Sequence, residues 1–223
     1  NETKKIESKI NEKPKFIIIN ASNDEGNARY IKGKIREGER AGLNVEVVKF
    51  EEDCCNQDVL NIITKCNKEK IPVILQLPTF KHLDTNSLME SINYDVDADG
   101  FAREWIGEIN LGNDKNIAPA TPKGVISLLE YYNVDVQGKV ALVIGKSNHV
   151  GKPLCSMLMN RGATLINANS KTRDLSELVR MSDIIISCVG QQNLINPEDI
   201  KDGAVVIGVG FTYVNGKQIL DFD

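Results

Sequence analysis

The chain has 223 residues, enough for one large or two small domains, and its 27 basic and 31 acidic side chains nearly cancel, leaving a net charge of −4. That balance argues against a nucleic-acid-binding face or a polybasic membrane anchor. No apolar run approaches the roughly 20 residues needed to span a bilayer, and the opening NETKKIESKINEKPK is too charged for a secretory signal. The five cysteines, at 54, 55, 66, 155 and 188, are odd in number and lack framework spacing, no CxxC occurs, and His82 and His149 lie far apart. Reduced thiols in a cytoplasmic protein without a bound metal are the expectation.

Along the chain, KFIIIN (15–20), VEVVKF (45–50) and PVILQL (72–77) are predicted strands, rich in β-branched residues and bounded by polar turns. Helical patterns fill roughly 26–41 and 56–69, and Gly42 stands where a left-handed cap needs glycine. Asp84 is a natural N-cap ahead of TNSLMESI, and Thr121-Pro122 pairs a cap residue with proline at a first helical position. The stretch 93–121 is the least regular and reads as loop leading to a domain junction. KVALVI, ATLINA, DIIISCV and AVVIGV then read as four more strands with helices between them. The βαβα alternation implies parallel sheets covered by helices, parsed as two α/β domains, 1–121 and 122–223.

One turn raises a specific question. LVIGKSNHVGKPL (142–154) runs from a buried strand through Gly145 to Gly151 at the start of a helix, where free N–H groups and the helix dipole attract phosphate. It is no Walker loop, because the residue five before Gly145 is Val140, and no G-x-G-x-x-G, because position 147 is Ser. A lone Gly-x5-Gly also suits an ordinary strand-to-helix turn. Its place after the first strand of a four-strand α/β half favours a dinucleotide site of Rossmann type. The following strand ends in Asn167-Ala168-Asn169-Ser170-Lys171-Thr172, without the acid that holds the ribose 2′-hydroxyl of NAD. Lys146 and Lys171 bring positive charge instead, which favours NADP, with NAD the alternative and surface lysines the plain reading.

Two further patterns stay open on the residues alone. Tyr30 and Lys34 lie one turn apart on a helix face, a spacing equally met by solvated helix residues. Gln76 follows the buried run PVIL at a strand end, where α/β folds bind ligands and where loop amides also bond to backbone.

Taken together, Tyr30-Ile31-Lys32-Gly33-Lys34, Gln76-Leu77-Pro78, Asp97-Ala98-Asp99-Gly100-Phe101, Pro119-Ala120-Thr121-Pro122 and the 142–154 turn resemble the bifunctional methylenetetrahydrofolate dehydrogenase/cyclohydrolases in order and spacing, from about residue 13 onward. The resemblance implies a folate-binding N-terminal domain, an NADP-binding C-terminal domain, a cleft between them for the chemistry, and a homodimer. It implies that Lys34 moves protons in hydrolysis, Tyr30 stacks on the substrate, Gln76 orients the lysine, Asp99 binds the pterin nitrogens and Pro78 lines the substrate site. Cofactor contacts are implied for Gly145, Lys146, Ser147, Gly151, Pro153, Thr172, Gly190 and Gly210. The expected activity is oxidation of 5,10-methylenetetrahydrofolate to the methenyl cation and its hydrolysis to 10-formyltetrahydrofolate.

Departures from the family pattern keep two alternatives in view: a dehydrogenase alone, NADP- or NAD-linked, and a non-catalytic folate- or nucleotide-binding relative. Thr79 and Phe80 replace Leu-Pro, Val96 a lysine, Ala120 a cysteine, Lys146 an arginine, Asn169 a histidine and Gly208 an aspartate. Leu220-Asp221-Phe222-Asp223 is a degenerate Gly-Asp-Val-Asp, after which the family's Pro-Gly-Gly-Val-Gly-Pro-Met-Thr loop and last helix would follow.

Overall fold

The computed structural model describes residues 13–114, 117–214 and 217–222, which form two compact units, 1–103 and 104–223. In the first unit, strands β1 (Lys15–Asn20), β2 (Asn44–Lys49) and β3 (Val73–Leu75) form a parallel sheet in the order β2-β1-β3. Helix α1 (Glu25–Ala41) starts at Asp24, whose carboxylate accepts from the Asn27 N–H, and stops at Gly42 with φ of 91°. Alternation along β1 and β3 divides the core between two faces. Ile18 and Ile74 pack under Ile31 of α1, while Ile17, Ile19, Val73 and Leu75 pack against Val59, Ile63 and Cys66 of helix α2 (Asn56–Glu69). Helix α3 (Thr85–Glu90) is capped by Asp84, which accepts from the Ser87 N–H, and adds Leu88 to the second face.

In the second unit, β4 (Val140–Ile144), β5 (Thr164–Ala168), β6 (Ile184–Ser187) and β7 (Val205–Gly208) form a parallel sheet in the order β5-β4-β6-β7. Ala141, Val143, Ile184 and Ile186 face α4 (Arg103–Asn110), α5 (Ala120–Tyr131) and α6 (Gly151–Met159). Leu142, Ile144 and Ile185 face α7 (Leu175–Met181) through Val179. Among the described residues, β8 (Phe211–Val214) and β9 (Lys217–Leu220) add an antiparallel hairpin. Both main sheets are wound on both sides, which explains why their strands read as continuous apolar runs. No helix among the described residues is long and apolar enough to cross a membrane.

Three sequence expectations need correction. The stretch 93–121, read as loop, contains helix α4, which buries Ile109 beside Val125 and Leu129 of the second core, and the compact units part at Arg103–Glu104. Helix α5 starts at Ala120, with Pro119 as cap residue, so Thr121 is not the cap. Pro122 lies within the first turn, where a missing N–H breaks no helical hydrogen bond. The hairpin 211–220 was not anticipated, since its alternation is short and continues directly from β7.

In each sheet the first strand lies between two neighbours whose connections run over opposite faces. That is the switch-point geometry at which open α/β sheets bind ligands, beyond the strands' C-terminal ends. Asn20 ends β1 and Gln76 directly follows β3 in the first unit, and Gly145 follows the central strand of the second.

Candidate active site

In the first unit, α1 presents Tyr30 half exposed and Lys34 partly buried one turn later. The Lys34 Nζ lies 3.8 Å from Asp99 Oδ1, long for a hydrogen bond but within ion-pair range. Gln76 is buried; its Nε2 donates to the Leu77 carbonyl at 3.1 Å and its backbone N–H to Ile19 at 2.9 Å. Its Oε1 has no hydrogen-bond partner among the described residues. Pro78, after a cis bond from Leu77, is exposed, and its carbonyl accepts from the buried Asn27 amide at 2.9 Å.

The three acids of VDADGF and its approach do different work. Asp95 pairs with Lys70. Asp97 is buried and accepts from the backbone N–H groups of Asp99 at 3.0 Å, Gly100 at 3.1 Å and Ala102 at 2.7 Å. It therefore builds the loop that carries Asp99, and charge-assisted bonds of this kind are the strong ones. Asp99 is the acid left to face Lys34. Burial raises its carboxyl above its ordinary pKa, the Lys34 ammonium pulls it back down in part, and Asp97 adds to the rise.

A raised carboxyl pKa means that the folded chain binds a proton more tightly than the unfolded chain, so this group's contribution to stability falls as pH rises between the two values. Asp99→Asn is accordingly expected to melt above the native protein at neutral pH. The gap should close as pH drops below the ordinary carboxylate range, as thermal melts across pH would read.

The departures at Thr79 and Phe80 have a packing basis. Phe80 turns into the first core and stacks on His82, with ring centroids 5.7 Å apart, while the Thr79 and Thr85 hydroxyls pair. Leu77–Lys81, Leu83 and Thr85 line a cleft of about 430 Å³.

In the second unit, Gly145 is buried with φ of 125°, and a Cβ on Gly151 would lie 2.2 Å from the Gly145 carbonyl oxygen. The loop thus closes directly onto the start of α6. Ser147 Oγ accepts from the N–H groups of Val150 at 3.1 Å and Gly151 at 3.2 Å, while Pro153 is buried in the first turn. Lys146 and Lys171 are exposed. Asn169 Oδ1 accepts from the Lys171 N–H at 3.1 Å, and Thr172 Oγ1 accepts from the Asn169 N–H at 2.8 Å. Asn169, where the family carries histidine, therefore shapes the lysine's turn.

Gly190 and Gly210 press on each other rather than standing open. A Cβ on Gly210 would meet Gly190 N at 2.2 Å and Asp221 Oδ2 at 2.4 Å. Asp221, buried, accepts from Gln191 N–H at 2.7 Å and Gly210 N–H at 3.0 Å, so it ties the ends of β6 and β7 together. Its structural role, like those of Asp97 and Asn27, escaped the sequence; only the acid within the degenerate 220–223 motif hinted at it.

The donor set fits a dinucleotide: a glycine turn packed against a helix N-terminus at a sheet switch point, hydroxyl groups at 147 and 172, and exposed lysines at 146 and 171. Thiol chemistry fits poorly, since burial pushes Cys155 up to about 11 and burial, aided by Asp221, pushes Cys188 up to about 12.

Residues 1–99 match the model of the tetrahydrofolate dehydrogenase/cyclohydrolase catalytic domain, and residues 119–223 match the NAD(P)-binding domain of the same family. The bifunctional protein FolD of Lactobacillus acidophilus is 38% identical over 212 residues, covering 94% of this chain and 75% of the relative. The bifunctional FolD methylenetetrahydrofolate dehydrogenase/cyclohydrolase structure from Campylobacter jejuni superposes with a TM-score of 0.93 at 32% identity, over 100% of this chain and 80% of that one. The Trypanosoma brucei N5,N10-methylenetetrahydrofolate dehydrogenase-cyclohydrolase, solved with NADP and an inhibitor, gives a TM-score of 0.91 at 27% identity, over 99% of this chain and 79% of that one.

Proposed function

Because the chain belongs to the tetrahydrofolate dehydrogenase/cyclohydrolase family, we propose that it oxidises 5,10-methylenetetrahydrofolate with NADP and hydrolyses the resulting 5,10-methenyl cation to 10-formyltetrahydrofolate. The observation that carries this reading is the pairing of Lys34 with Asp99 at 3.8 Å, in a unit whose Gln76 lies buried just past the end of β3. A set of this composition holds an electron-poor heterocycle and moves protons beside it.

In this reading Asp99 accepts the amino and ring N–H donors of the pterin side by side, and Tyr30 stacks on the ring from α1. The bound nicotinamide nucleotide takes up the hydride that leaves the methylene carbon. Ser147, Thr172 and the Gly145–Gly151 turn hold the nucleotide, with Lys146 and Lys171 beside its 2′-phosphate. Placement is the protein's main contribution to that step. For hydrolysis, Lys34 takes a proton from the water adding to the methenyl carbon and returns one to the ring nitrogen as the C–N bond opens. Gln76 keeps the amine aimed at that water. Assembly as a homodimer belongs to the same reading.

Nucleotide choice rests on Lys146 and Lys171 and on the lack of an acid after β5. Calorimetric titration with NADP and NAD is expected to give an affinity at least about tenfold tighter for NADP, with the gap shrinking as salt screens the lysines. Equal affinities, or tighter binding of NAD, would contradict the assignment and favour the NAD-linked alternative.

A further inference from the structure

Asn20 and Gln76 form a pair that the mechanism above uses only by half. The register Ile19↔Leu75 and the bond from Gln76 N–H to the Ile19 carbonyl carry the β1–β3 ladder to these two residues. Alternation puts both on the Ile18 and Ile74 face, beneath α1. Each residue is only 8% exposed, and Asn20 Oδ1 and Gln76 Oε1 have no hydrogen-bond partner among the described residues. Two sealed amide oxygens, side by side at a sheet switch point, are costly to the fold unless a donor reaches them.

The covering helix narrows the choice of donor. Its inward stripe runs Asn27, Ile31 and Ile35, with Lys34 partly buried beside it, and the Asn27 bond to the Pro78 carbonyl sets the start of this stripe level with the strand ends. Asn27 spends that amide N–H on Pro78. Lys34 follows one turn after Ile31, and helical side chains lean towards the helix N-terminus, here towards Asn20 and Gln76. Its present contact with Asp99 is too long for a hydrogen bond. The other charged groups around this face are committed elsewhere. Lys49, the register partner of Asn20, pairs with Glu51 at 3.0 Å, Asp24 caps α1, and Asp97 holds three backbone N–H groups.

We propose that Asn20 and Gln76 together receive the Lys34 ammonium, and that substrate drives Lys34 from Asp99 onto this pair. The inference rests on the proposed function: pterin donors occupy Asp99, and the displaced ammonium moves to the two amide oxygens. Neutral acceptors hold an ammonium less firmly than a carboxylate does, so the transfer also eases proton release to start hydrolysis. Asn20 acts through Lys34 and is a positioning residue.

The test follows methenyl hydrolysis by itself, without nucleotide, alongside dehydrogenase turnover. Asn20→Leu, of similar volume but without an acceptor, is expected to lower kcat for hydrolysis by about tenfold to a hundredfold. KM for the methenyl substrate, dehydrogenase turnover and melting temperature should stay near native values. Asn20→Asp keeps an acceptor and adds charge, so it should retain hydrolysis with the acid limb of its pH profile moved to higher pH. If the Leu variant does not fold, Asn20→Ala, which also lacks an acceptor, carries the same expected split. Unchanged hydrolysis in the acceptor-lacking variant, or a parallel loss of both activities, would overturn the inference while leaving the proposed function standing. Absence of both activities in the native protein would remove both.

Discussion

Replacing Lys34 by Met is expected to lower methenyl hydrolysis by about 10²–10⁴-fold while leaving nucleotide reduction within about tenfold of native. Methionine keeps most of the side chain's length and apolar bulk, so packing on α1 beside Ile31 is preserved and the amine alone is lost. Hydride transfer needs placement of the two reacting carbons and no proton from this residue, whereas addition of water to the methenyl carbon does need one moved. The variant should therefore turn over methylenetetrahydrofolate and accumulate the methenyl product, whose absorbance reports it directly. Loss of both activities in strict proportion would contradict a hydrolytic role for Lys34.

The second large effect is expected at Gly151. A methyl group there would sit 2.2 Å from the Gly145 carbonyl oxygen and 2.7 Å from its carbon, so Gly151→Ala must separate the turn from the helix that follows it. Overpacking backbone of this kind costs about 1–3 kcal/mol in stability. The functional cost is larger, because the same displacement pulls apart the turn and helix N-terminus that receive the nucleotide phosphate. Nucleotide affinity should fall by about a hundredfold or more, by calorimetry, with a lower melting temperature. Gly124→Ala is the control: that glycine lies inside α5, a Cβ there meets nothing within 4 Å, and the change should be neutral or stabilising by about 1 kcal/mol. Native affinity in the Gly151 variant would remove the turn from the nucleotide site.

How much of this was legible in the sequence follows from the range of each interaction. The strand 15–20 and the helix 56–69 were legible to the residue, because buried parallel strands and amphipathic helices write their periodicity locally. Helix α4 was missed because its eight residues give the pattern two turns to show itself, and its burial is set by Ile109 meeting a core built from distant segments. The site divides in the same way. Tyr30 with Lys34, and the Gly145–Gly151 turn, are local spacings and could be singled out. Residue type and spacing could not sort Asp95, Asp97 and Asp99, which are crowded together, and it was the family resemblance that singled out Asp99. Their partners, Lys70, three backbone N–H groups and Lys34, give each a separate physical role. Asn20 and Asn27 carried no local signal, and Asp221 only that of a degenerate motif, since each acts on backbone or side chains brought close by the fold. The substitutions at Phe80 and Asn169 became intelligible once one was found filling the core and the other shaping the turn before Lys171.

The most direct test of the central claim, that one chain performs both steps, is a single reaction containing 5,10-methylenetetrahydrofolate and NADP, followed for reduced nucleotide and for the methenyl chromophore at the same time. Steady nucleotide reduction is expected, with little methenyl build-up and 10-formyltetrahydrofolate as the product. Methenyl accumulating in step with reduced nucleotide, or no reduction with either NADP or NAD, would contradict it.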